Sequence, residues 1–226
     1  MMEWGDMETG YLFTSKELAV LLTAAGGEGL AGFSLQNIEM DRGQVLYQLY
    51  SLFKKGILLP KEVDRKLEIL PALKPAISAC VHARYILCIE QLNPTEKPFA
   101  VCYPSEKGWS IMRPCDELPD GWLLQWGSTE DVIELLKDNG LLPSNADDLE
   151  RLEERFPLRV VQGPAEDMIP ISSFTWIEEK TQEIVSSTKI ARGILMDWLL
   201  TINSEQVYTE KKLAHWMDCL SEREMI

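Results

Sequence analysis

Histidine is nearly absent from this chain: His82 and His215 are the only two among 226 residues. No Cys-x-x-Cys occurs, and the five cysteines, Cys80, Cys88, Cys102, Cys115 and Cys219, make an odd number. Together these absences argue against a disulfide framework and against a zinc ribbon. No stretch approaches the ~18 consecutive apolar residues that span a bilayer. The first ten residues, MMEWGDMETG, are acidic and carry no apolar run of the signal-peptide kind, so a cytoplasmic location is expected. Cations are scarce: 22 Lys and Arg stand against 36 Asp and Glu, a formal charge of −14. Such a balance repels phosphate backbones and anionic lipid, and favours a basic or cationic amphipathic partner over DNA.

Catalytic signatures are missing too. There is no Gly-x-Ser-x-Gly, no His-Glu-x-x-His and no Rossmann fingerprint. The glycines from Gly26 to Gly32 follow a helical pattern rather than a strand and lead to no Gly-Lys-Ser/Thr, so they read as a helix stop and not a phosphate loop. Cys80 and His82 diverge at i, i+2, and His215 with Cys219 reads as two positions on an amphipathic helix. The acids Asp147, Asp148, Glu150, Glu153 and Glu154 lack EF-hand spacing and read as a solvated helix face. No metal and no cofactor is expected, and no enzymatic activity; a carboxylate-based enzyme is the weakest of the readings kept.

What is present is amphipathic pattern in an ordinary globular composition, 46% apolar and 26% charged. After a lead ending in Tyr11-Leu12-Phe13, Thr14 with Glu17 forms a capping-box signature. Leu18, Leu21, Leu22 and Ala25 then line one helix face, and Gly26-Gly27 stops it. A second helix follows Asp41, with Val45, Leu46, Leu49, Tyr50, Leu52 and Phe53 on a face wide enough for burial on more than one side. Residues 61–70 are predicted as a third helix with Val63, Leu67 and Leu70 inward, and another helix restarts near Ala72.

From Arg84 the texture changes to β-formers. Strands are predicted in 84–92, 99–104, 109–114 and 122–127, joined by short turns as in an antiparallel meander. Ser128 or Thr129 caps a further helix stopped at Asn139-Gly140. A strand over 168–178, a hairpin partner over 181–187, an apolar core helix over 189–203, a short turn or strand over 205–208 and a final helix capped by Thr209 complete the reading. In that last helix Leu213, Trp216, Met217 and Leu220 share a stripe.

Two stops resemble each other. Leu52–Pro60 reads LFKKGILLP and Leu135–Pro143 reads LLKDNGLLP, with Leu, Lys, Leu, Leu and Pro matching in place at an offset of 83. This suggests duplication of a helix–helix–strand unit. The expected fold is α+β, an antiparallel or mixed central sheet flanked by helices. It forms one domain of two halves: a helical part over 1–83, and sheet with C-terminal helices over 84–226.

The run ELAVLLTAAGGEGLAGF, then LYSLFKKGIL and VDRKLEILPALKPA, resembles the N-terminal pattern of EspG-type chaperones of type VII secretion. The shared features are a helix with Glu-Leu-x-x-Leu, then Leu-x-x-Leu-x-x-x-Gly-Ile, then a leucine-rich stretch ending near proline. Residues match over Leu18 to Pro75. The resemblance implies an α+β fold with two similar halves and a cytoplasmic, non-catalytic role in holding helical partners such as small WxG-type secretion substrates. Candidate contacts are Trp109, Trp122, Trp126 and Trp176, since tryptophan is enriched at binding hot spots. The rival reading is a winged-helix DNA-binding regulator with a sensing domain over 84–226. There the basic face would hold Lys54, Lys55, Arg65 and Lys66. Self-association through an exposed strand is compatible with all of these readings.

Overall fold

The computed structural model describes residues 10–27, 38–60, 67–116, 118, 120–143, 168–192, 197–201, 204–207 and 210–221. It is an α+β protein, and every strand pair for which a register is given is antiparallel. The chain separates into two compact units, one made of 1–86 with 100–127, the other of 87–99 with 128–226.

In the first unit the apolar lead is a strand, β1 (Tyr11–Thr14). It pairs with β7 (Gly121–Gly127), which pairs with β6 (Gly108–Cys115), which pairs with β5 (Lys97–Ser105). Thr14 ends β1 and caps α1 (Ser15–Ala24) through the predicted box: Glu17 N donates to Thr14 Oγ1, and Thr14 N donates to Glu17 Oε2. Helix α2 (Arg42–Lys54) has its own box between Asp41 and Gln44. Helix α3 (Lys74–His82) packs on β6 and β7, where Cys80 Sγ lies 3.1 Å from Ser110 Oγ. Phe13, Leu18, Leu21, Leu52, Leu73, Ile77, Met112 and Leu124 are buried between these layers.

The predicted helix over 61–70 is corrected in the part that can be described. Residues 67–69 form a strand, β3 (Leu67–Ile69), antiparallel to β2 (Leu58–Pro60) with Leu58 opposite Ile69. Pro71 disfavours helical backbone at Leu70, and the stretch pairs instead, with Leu70 N donating to Ile57 O.

In the second unit β4 (Tyr85–Gln91) is followed by neighbours β8 (Ile169–Glu178), β9 (Ile184–Arg192), β10 (Asp197–Thr201) and β11 (Ser204–Val207). Helix α4 (Thr129–Asp138) packs on α5 (Glu210–Ser221), where Thr129 Oγ1 donates to Asp218 Oδ1 at 2.8 Å. The predicted core helix over 189–203 is corrected in the parts that can be described: residues 189–192 and 197–201 are strand, with Ile190 paired to Leu199 across β9 and β10. That run is apolar enough for either state, and composition without a period cannot separate a buried strand from a buried helix. The final helix keeps Leu213 and Met217 inward as expected; Thr209 and the side chain of Leu220 lie outside the described residues.

The two stops share one geometry, shifted by a residue from the sequence match. Gly56 and Gly140 sit at φ +71° and +70°. Ile57 N donates to Leu52 O, and Leu141 N to Leu136 O, both at 2.9 Å. This is the same left-handed glycine cap in each case, at an offset of 84 and not 83. The identities matched at 83 set Gly56 against Asn139, so they pair residues with different backbone roles.

Candidate partner-binding surface

The four tryptophans do not form a common surface. Trp109 and Trp176 are buried, 3% and 0% exposed, and belong to the core; as contact residues they are corrected. The reason is the pairing. Trp109 stands opposite Gly127 on one face of the β6–β7 pair, while Trp122 and Trp126 lie four pairs apart on the other. That second face is the one α1 and α3 cover, and Trp122 Nε1 donates to Ser15 Oγ at 2.7 Å. Trp122 and Trp126 are half-buried there. In the second unit Trp176 packs against Trp216 with ring centroids 6.3 Å apart.

Of the four basic residues, Lys54 and Lys55 can be placed. Arg65 and Lys66 lie outside the described residues. Lys55 is committed internally: its Nζ donates to Glu17 Oε2 at 2.7 Å and approaches Leu12 O at 3.4 Å. Ser51 Oγ donates to the other carboxylate oxygen at 2.6 Å. Burial alone would raise the Glu17 pKa. The hydrogen bonds from Lys55, Ser51 and the Thr14 backbone, with the Lys55 charge, outweigh it and hold the carboxyl below the usual range. Lys54 is exposed and lies over the Tyr50 ring, 5.4 Å from its centroid.

What the tryptophans and lysines miss, α2 displays. Of its thirteen residues Leu52 is the buried one. Leu46, Tyr47, Tyr50 and Phe53 are 57%, 68%, 57% and 43% exposed. Leu46, Tyr50 and Phe53 follow at i, i+4, i+7, with Tyr47 beside them, so they make one stripe along the helix. The broad burial predicted for this helix is therefore corrected: its inner side is satisfied by Leu52, with Val45 and Leu49 half-buried. Scattered exposed leucines are normal on a protein surface, whereas large contiguous apolar patches are uncommon on monomers. The signal lay in the sequence as excess width: seven of the nine residues from Val45 to Phe53 are apolar or aromatic, more than one packed face requires.

Chemistry is sparse elsewhere. Burial pushes the Cys80 thiol up to about 12; burial and the Glu90 charge push Cys88 up to about 11, so neither ionises near neutrality. Among the described residues no three His, Cys, Asp or Glu side chains converge as a metal site would need. No helix among them is long and apolar enough to cross a membrane. The acidic run from Asp147 to Glu154 and the Cys219 side chain lie outside the described residues. No protein-family model matches the sequence, and no curated protein matches it.

Proposed function

We propose that this chain is a non-catalytic protein-binding module whose docking face is the exposed side of α2. The observation that carries the reading is the stripe of Leu46, Tyr47, Tyr50 and Phe53, held out by a helix that is anchored through Leu52 and capped at both ends. Aromatic anchors on a rigid helix present large apolar area at little entropic cost. A helix lying along the stripe is the natural occupant, because residues three and four apart form ridges that another helix can interdigitate with. In the narrower form drawn from the EspG-type resemblance, the client is a helical secretion substrate of the WxG kind and the module works in the cytoplasm.

The DNA-binding alternative has less behind it. Two residues of its basic face, Arg65 and Lys66, belong to the helix predicted over 61–70, part of which is β3, and its Lys55 is paired with Glu17.

The test compares the native chain with a Leu46→Asp/Tyr47→Asp variant as immobilised bait, with recovered proteins identified by mass spectrometry. A helical client held by the native chain and lost with the variant, while the circular dichroism melt at a concentration where the chain is monomeric is unchanged, supports the reading. A client retained equally by both would remove α2 from it.

A further inference from the structure

We infer that the α2 stripe pairs with the α2 stripe of a second copy of this chain, antiparallel across a twofold axis. The inference rests on α2 being a docking face and names the occupant.

Charge carries it. Arg42–Lys54 holds no acid, but the residues just before the helix do: Glu39 and Asp41 are exposed beside Arg42. At the other end Lys54 is exposed and Lys55 is already neutralised by Glu17. The stripe is thus bounded by a net negative end and a positive end. An antiparallel copy sets Lys54 of each chain against the Glu39–Asp41 end of the other, twice by symmetry. It also opposes the two helix dipoles favourably. Between those ends the two stripes cross near Tyr47, and each contact of one residue with a different residue of the other copy is repeated in reverse. A surface that is self-complementary in both charge and apolar pattern is what an isologous twofold contact requires. Parallel pairing would set like ends together, which excludes it.

The lysine position supports this geometry. Lys54 lies over Tyr50, so its charge sits on the stripe and not behind it. Four side chains per copy are fewer than the roughly 20 to 30 residues a side of a standard stable interface. The dimer is therefore weak, with a Kd on the order of micromolar, and a helical client would compete with it for the same face.

Sedimentation velocity of the full chain across roughly 1 to 100 µM brackets that affinity. The expected result is a rise from the 25.7 kDa monomer towards twice that mass. Leu46→Asp/Tyr47→Asp should stay monomeric. Lys54→Glu should weaken the dimer by about tenfold, and Glu39→Lys/Lys54→Glu should restore most of it, since the swap rebuilds both cross-pairs. A monomer at every concentration overturns the inference, as does a dimer indifferent to Tyr47 or a double swap no better than Lys54→Glu. A monomeric chain that still holds a client through Tyr47 would end the dimer and leave the docking face standing.

Discussion

Lys55, at the C-terminal cap of α2, reaches back to Glu17 in the first turn of α1 and closes a 2.7 Å ion pair on a carboxylate that is 3% exposed. The lysine itself is 40% exposed. That asymmetry decides what each partner's loss costs. Lys55→Met strands a buried charge that keeps Ser51 and the Thr14 amide as donors, and should cost about 2–3 kcal/mol, below the full cost of breaking a buried pair. Glu17→Gln leaves a solvated lysine and a side chain that still serves a capping box, and should cost about 1 kcal/mol. Urea unfolding midpoints measure both. Equal costs, or the reverse order, would mean the pair is not buried as described.

The same carboxylate links stability to pH. Its folded pKa lies below the ordinary 4.5, so the folded state holds the charged form more tightly than the unfolded chain does. Its contribution is fully present above the ordinary value and is lost as pH falls through the depressed folded value. Between neutrality and that region Glu17→Gln should run parallel to the native chain. Below it the native chain should lose stability more steeply, and the gap should close. Denaturant midpoints followed from pH 7 into acid test this; a gap that widens in acid would contradict the sign.

Gly56 and Gly140 make a matched pair of experiments. A β-carbon at either would meet nothing within 4 Å, so alanine there carries only the backbone cost of a positive φ. That cost is about 1–2 kcal/mol at each. The two variants should therefore lower stability by similar amounts. A large difference would show that one stop is not the glycine cap described.

How much of this was legible follows from where period and turn chemistry spoke clearly. The strands from Tyr85 to Gly127 alternate and are punctuated by short turns, which places them; the capping box at Thr14 is visible as a three-residue spacing, and Ser128 is one of the two caps the sequence offers for α4. Residues 189–192 and 197–201 are strand where a helix is predicted, because an apolar run without a period fits a strand as well as a helix. Residues 67–69 are strand where a helix is predicted, because Val63, Leu67 and Leu70 keep helical spacing although Pro71 disfavours helical backbone at Leu70. The exposed stripe on α2 escapes a sequence reading for a related reason. Apolar width on α2 was taken as burial, whereas pattern reports what a surface can bury and not whether this chain supplies the cover. Tryptophan, chosen for its hot-spot habit, is equally a core residue, and only pairing registers separate Trp109 from Trp126.

Thiol chemistry checks the interior independently. Cys80 is buried against Ser110, and its raised pKa leaves almost no thiolate at pH 8. Alkylation of the native chain with iodoacetamide should spare Cys80 and the buried Cys102, and modify Cys115 first among the described thiols. All should react in denaturant. Early modification of Cys80, read by peptide mapping, would place α3 off the β6 surface.

The last comparison separates core from docking face directly. Trp176 is wholly buried beside Trp216, so Trp176→Ala removes a large packed side chain and should cost about 3–5 kcal/mol. Trp122→Phe keeps most of its ring contacts and loses the bond to Ser15, worth about 1 kcal/mol. Tyr47 is more than half exposed, and Tyr47→Ala should change stability by no more than about 0.5 kcal/mol. Its effect should appear in association alone. Urea midpoints at a concentration where the chain is monomeric rank the three, because dimerisation would otherwise add to apparent stability. A Tyr47→Ala loss approaching that of Trp176→Ala would mean the monomer already covers α2, and the stripe would be core.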